Sequence, residues 1–482
     1  MLNQEQNGYK VMKDDKPHLV RGGILGDEMG LGKTIQSLAL IVNAGAYKTL
    51  IVTPLAVKKQ WEDAAMRCEV NLFTPTPWGS RWLQQKATNS SKPTIHIVHY
   101  DKVANKPELC KFENYDRIII DEAQTIRNAK TKKAKSVLEI SAKFRWVLTA
   151  TPIVNSMDDA VTYLKFIGAP VSSSSGKWRN EYEVWVRNLY MARTLDMCEA
   201  PAGLTMPPEP IKETRYLEFT NPDEEKVYTS IHTNLESQWR CARALSGKSY
   251  MLEKFSILLR LRQISVNPQI YIKARMKEPF GWTGPQFHTV SRKFDEIASL
   301  LRESHEAGVS NRWIIFCQFH EEMTMMSDFL EAFPFVGSIL QYHGGMSMKD
   351  REEEIKKSHT ATGDARQDVF LIQLQAGGTG LNLQHYDRVI FVSPWWTAAL
   401  LDQALGRAVR IGQKNVVKVY WLRLKTETDD DFNIDSFIMD KADSKRDLSQ
   451  EFLGYSLGRD SNPLSEWNQE QEQEQDLKQD QE

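Results

Sequence analysis

The chain has 482 residues, 41% of them hydrophobic and 26% charged, with a formal net charge of −2. That length exceeds what one hydrophobic core holds and calls for two domains plus additions. No stretch approaches 18 consecutive apolar residues and the N-terminus is polar, so neither a membrane span nor a signal peptide is expected. Five scattered cysteines (Cys68, Cys110, Cys198, Cys241 and Cys317) include no C-x-x-C pair, which fits a reducing compartment and offers no zinc-binding set.

In chain order, the first strong signal is the apolar segment Gly22 to Leu25 followed by GDEMGLGKT at 26–34 and the helical run Ile35 to Val42. Strand, glycine-rich loop and helix in that order make a phosphate cradle. Gly30 and Gly32 let backbone N–H groups converge on phosphate oxygens at a helix N-terminus. Lys33 is placed to reach the β- and γ-phosphates, and Thr34 to put its hydroxyl on Mg²⁺. Asp27 stands where the generic pattern has glycine. Strands are expected near 50–53, 95–98, 117–120 and 146–149, alternating with helices as a parallel sheet requires. The run Arg117 to Ile120 ends in Asp121-Glu122, at the strand end where open α/β sheets bind ligands. There Asp121 holds Mg²⁺, and Glu122 orients and deprotonates the attacking water.

Residues 171–285 break the alternation with Ser172 to Gly176, a Pro-rich stretch (Pro201, Pro207, Pro208, Pro210) and amphipathic segments near 222–245 and 251–265. They read as helical protrusions and an inter-lobe connection, with Lys273 to Gly284 as the expected flexible linker. Strands resume near 313–316, 337–341, 369–373, 388–392 and 416–421. Asp402 to Gln413 puts Arg407 and Arg410 one helical turn apart on one face, in reach of charge developing on a γ-phosphate. Asn433 to Leu453 has helix periodicity and is expected to pack back on the core. The tail from 459 carries eight acids against two bases, leaving about +4 for residues 1–458, so a nucleic-acid face must be a local patch. Candidate patches are Lys58-Lys59, Arg127 to Lys135 and Lys349 to Lys357. Gln469 to Glu482 cannot bury a core and is expected to be disordered. The domain reading is 1–170 for the first lobe, 171–285 for protrusions and linker, 286–432 for the second lobe, 433–458 for a closing helix and 459–482 for the tail.

These residues carry a family resemblance. GGILGDEMGLGKT (22–34), LIVTPLAVKKQWEDA (50–64), IIIDEAQTIRN (118–128) and WVLTATPIVNS (146–156) resemble, in order, the first-lobe motifs of the Swi/Snf ATPase core. RWIIFCQF (312–319), QYHGGMSMKDRE (341–352), QAGGTGLNLQHYDRVIFVSPWW (375–396) and ALLDQALGRAVRIGQ (399–413) resemble those of the second. LLRLRQISVNP at 258–268 is similar to a helix of the branch whose repair members carry a RING insertion, which this chain lacks. The resemblance covers about residues 20–445.

It implies an α/β fold of two RecA-like lobes, each a mostly parallel sheet flanked by helices, with helical protrusions between them. It implies a superfamily-2 helicase-like motor that uses ATP and Mg²⁺ and translocates on double-stranded DNA without reading sequence. The nucleotide set it implies is Asp27, Gly30, Gly32, Lys33, Thr34, Gly380 and Gln403, with Gln6 for the adenine. Lys33, Asp121, Glu122, Arg407 and Arg410 form the catalytic set, and Thr34 and Asp121 the metal set. Thr53, Thr149, Thr151, Thr379 and Trp396 are the implied DNA contacts, bound through phosphate rather than base edges. Nucleosomes or other DNA-bound proteins are the partners implied, in the nucleus or a viral DNA replication compartment, and no membrane. The chain departs from many relatives at Gln124, where histidine is usual, at Ala150, where glycine is usual, and at Thr397-Ala398. The alternative activity is a strand-separating DNA or RNA helicase.

Overall fold

The computed structural model describes residues 1–456 except 14–15, 46, 79–80, 172–181, 199–204, 244–247, 279–280, 285, 310–311, 361–365, 378–380 and 426–431. Thr379, Gly380, the serine run from 172 and the acidic tail therefore lie outside the described residues. The chain divides into two compact units. The first comprises Met1–Glu28, Gly32–Met197 and Lys445–Glu482, and the second Met29–Leu31 and Cys198–Ser444.

The strands of the first unit are β1 (Tyr9–Lys13), β2 (Lys16–Val20), β3 (Gly22–Leu25), β4 (Lys48–Thr53), β5 (Asn71–Pro75), β6 (Trp82–Lys86), β7 (Thr94–His99), β8 (Tyr115–Asp121), β9 (Ala142–Leu148) and β10 (Tyr190–Met191). β1 and β2 form a hairpin, and the rest make one sheet ordered β10-β3-β9-β8-β4-β7-β5-β6. Every pairing in that sheet is parallel except β5 with β6. Its central strands are continuous apolar runs because both faces are covered. Ile118 and Ile120 enter one core with Ile24, Leu50, Val52 and Val147, while Ile119 enters the other with Leu25, Ile51, Ile97 and Leu148. Successive side chains of a strand point to opposite faces, so one sheet organises both cores.

The second unit repeats the plan with β11 (Ile211–Leu217), β12 (Arg312–Cys317), β13 (Val336–Tyr342), β14 (Gln367–Gln373), β15 (Arg388–Phe391) and β16 (Lys418–Leu424), ordered β11-β16-β15-β12-β14-β13 and wholly parallel. Trp313, Ile315 and Leu371 face one core, and Ile314, Phe316 and Phe370 the other. Helices Pro222–Arg243, Lys248–Val266 and Ile434–Ser456 bury Ile231, Leu235, Leu258, Leu261 and Ile438 in the first of these cores. Each unit thus has the RecA-like plan expected from the motifs. No helix among the described residues is long and apolar enough to cross a membrane.

Three local expectations are corrected. β11 falls inside the segment read as helical protrusion and instead forms an edge of the second sheet, paired along its whole length with β16. The strands β5 and β6 and the hairpin β1–β2 add to those expected from the sequence. The stretch from Lys273 is not a linker at its start, since the helix Pro268–Met276 runs through it and Lys273 donates to Glu321 at 2.6 Å.

Two buried ion pairs pin the first and last helices to the cores. Glu5, in the helix Leu2–Asn7, accepts from Arg117 Nε at 2.6 Å and from Trp146 Nε1 at 2.8 Å. Lys293 donates to Asp435 at 2.7 Å and to Ser265 and Ser393. Groups this deeply buried need full hydrogen bonding to offset lost solvation, and both pairs have it.

Candidate nucleotide site

The site grows from the carboxyl edge of the first sheet. β3 runs into the loop 26–32, and the helix Lys33–Asn43 begins after Gly32, which takes φ 75°. A left-handed residue there turns the chain so that the helix N-terminus faces the loop. Lys33 Nζ lies on the loop, donating to the carbonyls of Asp27 at 2.6 Å and Glu28 at 3.3 Å. Thr34 occupies the first turn of the same helix.

β8, two strands from β3, delivers Asp121. Its Oδ2 accepts from Trp61 Nε1 at 2.7 Å, its Oδ1 from the Glu122 N–H at 3.0 Å, and its carbonyl from the Tyr100 hydroxyl at 2.7 Å. Burial, and next the neighbouring Glu122 carboxylate, raise its pKa to about 6, against the opposing bond from Trp61 and the charge of Lys33. Glu122 has φ 48° and ψ 55°, the one non-glycine residue at positive φ among the described residues. Such a conformation costs roughly 1–3 kcal/mol and persists where surrounding contacts enforce it. Gln124 Nε2 donates to Glu122 Oε2 at 2.7 Å, while its Oε1 accepts from the Thr149 hydroxyl at 3.0 Å. Thr149 Oγ1 also accepts from the Thr151 N–H at 3.1 Å. A continuous chain of hydrogen bonds therefore links the end of β8 to the end of β9.

Several residues singled out from the sequence are placed differently. Asp27 is fully buried, and its carboxylate accepts from Gln36 Nε2 at 2.8 Å and Arg193 Nε at 3.1 Å, so its side chain faces the protein rather than a nucleotide. Gln6 is exposed, whereas Gln4 in the same short helix has a buried amide nitrogen with no hydrogen-bond partner. Thr53, at the end of β4, and Thr149 and Thr151, just past β9, are buried, and the Thr149 hydroxyl is already engaged by Gln124 and the Thr151 N–H.

In the second unit, the helix Ala398–Leu405 stops before Arg407 and Arg410, so the arginines sit on a turn rather than one helical face. The turn is held by Leu383 N–H on the Arg407 carbonyl (3.0 Å) and by Gln413 Nε2 on the carbonyls of Gln384, Tyr386 and Ala408. Burial, and then the charge of Arg407, lower the pKa of Arg410. Gln403 is buried within the helix. Trp396 packs edge-on against Phe437 and beside Arg262, 5.7 Å from its ring, as part of the core margin. Gln413, Gln384 and Arg193 are the residues sequence reading passed over; each acts through long-range contacts that leave no local pattern.

Among the basic runs, Lys58 pairs with Glu62, Lys59 with Asp63 at 3.0 Å, and Lys357 with Glu353 and Glu354. Lys130, Lys132 and Lys135 are exposed.

A phosphate loop and an acid pair on one parallel sheet, with a basic turn on a second such sheet, define a helicase-like, ATP-hydrolysing enzyme. Residues 4–270 match the SNF2-related domain and residues 292–412 the helicase conserved C-terminal domain. The chain belongs to the SNF2-related family. It is 26% identical to the "Probable global transactivator" of Orgyia pseudotsugata multicapsid polyhedrosis virus, over 92% of this chain and 90% of that one. It is 24% identical to the DNA repair protein RAD5 of Candida albicans, over 83% and 54%. It is 25% identical to the human SWI/SNF-related matrix-associated actin-dependent regulator of chromatin subfamily A member 1, over 92% and 43%. The chain thus spans nearly all of the viral relative and about half of the other two. A solved structure, the Sulfolobus solfataricus SWI2/SNF2 ATPase core in complex with dsDNA, matches at 25% identity over 84% of this chain and 83% of that one, with a TM-score of 0.36.

Proposed function

We propose that the chain is a DNA-dependent ATPase that couples hydrolysis to movement along double-stranded DNA and so displaces or remodels what is bound there. The observation that carries this reading is the bonded chain Glu122–Gln124–Thr149–Thr151, which ties the water-activating carboxylate to the end of β9. A motor needs such a tie, because turnover must answer to the track.

The roles follow from position. Lys33 and the loop amides receive the phosphates, and Glu122 orients and deprotonates water. Arg407 and Arg410 are assigned to the charge that develops on the transferring phosphoryl group. Thr34 and Asp121 offer the hard oxygen donors that Mg²⁺ requires, and each Asp121 oxygen accepts one hydrogen bond with lone pairs to spare. Bound there, Mg²⁺ would neutralise charge between phosphates. The adenine contact moves from Gln6 to Gln4, whose buried amide nitrogen has a donor to offer. DNA contact is assigned to the exposed run Lys130, Lys132 and Lys135 just beyond β8. Domain limits are proposed at the two matched segments, and the site of action is wherever duplex DNA is packaged or copied, a nucleus or a viral replication compartment.

The test is ATP hydrolysis with duplex DNA, single-stranded DNA, RNA or no nucleic acid, beside Lys33→Ala. Stimulation by duplex, lost in Lys33→Ala, is expected. Stimulation chiefly by single strands or RNA would move the assignment to a strand-separating helicase.

A further inference from the structure

The departure of the phosphate loop from the generic pattern has a structural partner. β10 adds to the edge of the sheet beside β3, pairing Tyr190 with Ile24 and Met191 with Leu25. The pairing continues past the strand into the loop itself. Gly26 N–H donates to the Met191 carbonyl at 2.7 Å, Glu28 N–H to the Arg193 carbonyl at 2.8 Å, and Leu195 N–H to Glu28 Oε2 at 2.7 Å. The Tyr190 ring lies flush on Gly26, where a Cβ would sit 2.0 Å from it. Arg193 then grips Asp27 with two nitrogens and Gln36 with one, at 2.7 Å. Asp27 is wholly buried, so this guanidinium and the Gln36 amide are what satisfy its charge.

Asp27 and Glu28 are thus fixed at both ends: by residues 190–195 through side chains and N–H groups, and by Lys33 through their carbonyls. We propose that residues 190–195 form a strap on the phosphate loop and that Arg193 is a positioning residue, setting through Asp27 where the loop and the Lys33 ammonium rest. Bidentate pairing of a planar guanidinium with a buried carboxylate fixes orientation as well as distance, which suits a loop that must hold its amides aimed. The strap precedes β11 in the chain, so the segment joining the two sheets is clasped to the nucleotide loop before it leaves the first.

The proposal rests on the nucleotide reading of the loop, and the experiment keeps the two apart. Arg193→Gln, Asp27→Asn and the double variant are compared with wild type in the full chain. Three quantities are read: KM and kcat for ATP, equilibrium affinity for a fluorescent ATP analogue, and hydrogen exchange of the 26–32 amides. Arg193→Gln is expected to raise KM and the analogue Kd about tenfold with a smaller change in kcat, to speed exchange in the loop, and to leave duplex affinity without nucleotide unchanged. The double variant should match the singles rather than multiply them, because both remove one clasp. If Arg193→Gln does not fold with Asp27 left uncompensated, the neutral pair decides, and a wild-type KM in it overturns the proposal. So does a folded Arg193→Gln with wild-type KM and loop exchange, or multiplicative defects, which would mean that Arg193 touches the nucleotide independently. If wild type neither binds nor hydrolyses ATP, the nucleotide reading fails, and loop exchange still tests the clasp.

Discussion

Gln124 stands between the end of β8 and the end of β9, and its side chain shows what that position does here. An amide presents a donor and an acceptor at once, so Gln124 bonds a carboxylate on one side and a hydroxyl on the other without any titration. Replacing it with alanine breaks the chain between Glu122 and Thr149 while leaving Lys33, Asp121 and Glu122 in place. Gln124→Ala is therefore expected to keep basal ATP hydrolysis within about threefold while abolishing most stimulation by duplex DNA. Steady-state rates with and without DNA check this, and retained stimulation would remove the chain of bonds from the coupling. Glu122→Gln is expected to do the opposite. With shape kept and the base lost, turnover should fall by about 10² or more at unchanged nucleotide affinity, read by single-turnover hydrolysis.

At the scale of elements, legibility tracked how local each determinant is. β4, β7, β8 and β9 were visible because β-branched runs in a sheet covered on both faces need no alternation. The edge strands β10 and β11 were not, since two residues of β10 and the polar face of β11 gain their order from neighbours far along the chain. The end of the helix at Leu405 was equally hidden. Ala-Leu-Gly-Arg-Ala-Val continues a helical pattern, yet the helix is capped at Gly406, and the turn beyond it is tied by Gln413 to the carbonyls of Gln384 and Tyr386. Of the site, the loop and acid pair were legible, and the clasp and the buried threonines were not. The helix Pro222–Arg243 adds a measurable consequence of packing. Glu224 is buried and accepts from the Arg292 N–H at 2.8 Å, and burial raises its pKa from 4.5 to about 7. A carboxyl whose folded pKa is raised binds its proton more tightly in the native state, so stability falls as pH climbs through that window. The loss between pH 4.5 and 7 is about 3 kcal/mol for this group. Glu224→Gln is thus expected to raise Tm at pH 8 and leave it nearly unchanged at pH 5. An equal shift at both values would assign the effect to packing instead.

For the whole molecule, the decisive point is that Lys33 and Arg410 belong to different units of the chain. With Lys33 assigned to nucleotide binding and Arg410 to the transition state, the two contributions are separable by mutation. Lys33 sits on the phosphate loop, so Lys33→Ala is expected to weaken nucleotide binding and turnover together. Arg410 lies on a turn braced by Gln413, beside Arg407, and its loss removes charge rather than fold, since the turn is held by backbone carbonyls and not by the guanidinium. Its assigned role arises only as charge moves onto the transferring phosphoryl group. Arg410→Ala is accordingly expected to lower kcat by about 10³ while changing equilibrium affinity for ATP by about threefold at most. Analogue titration and single-turnover hydrolysis on the same preparation, with duplex DNA saturating, give both quantities. A matched fall in affinity would make Arg410 a ground-state contact, and an unchanged kcat would remove Arg410 from the chemistry and leave Arg407 to be tested alone. The predicted split, with affinity kept and turnover lost, is what a group assigned only to the transition state produces.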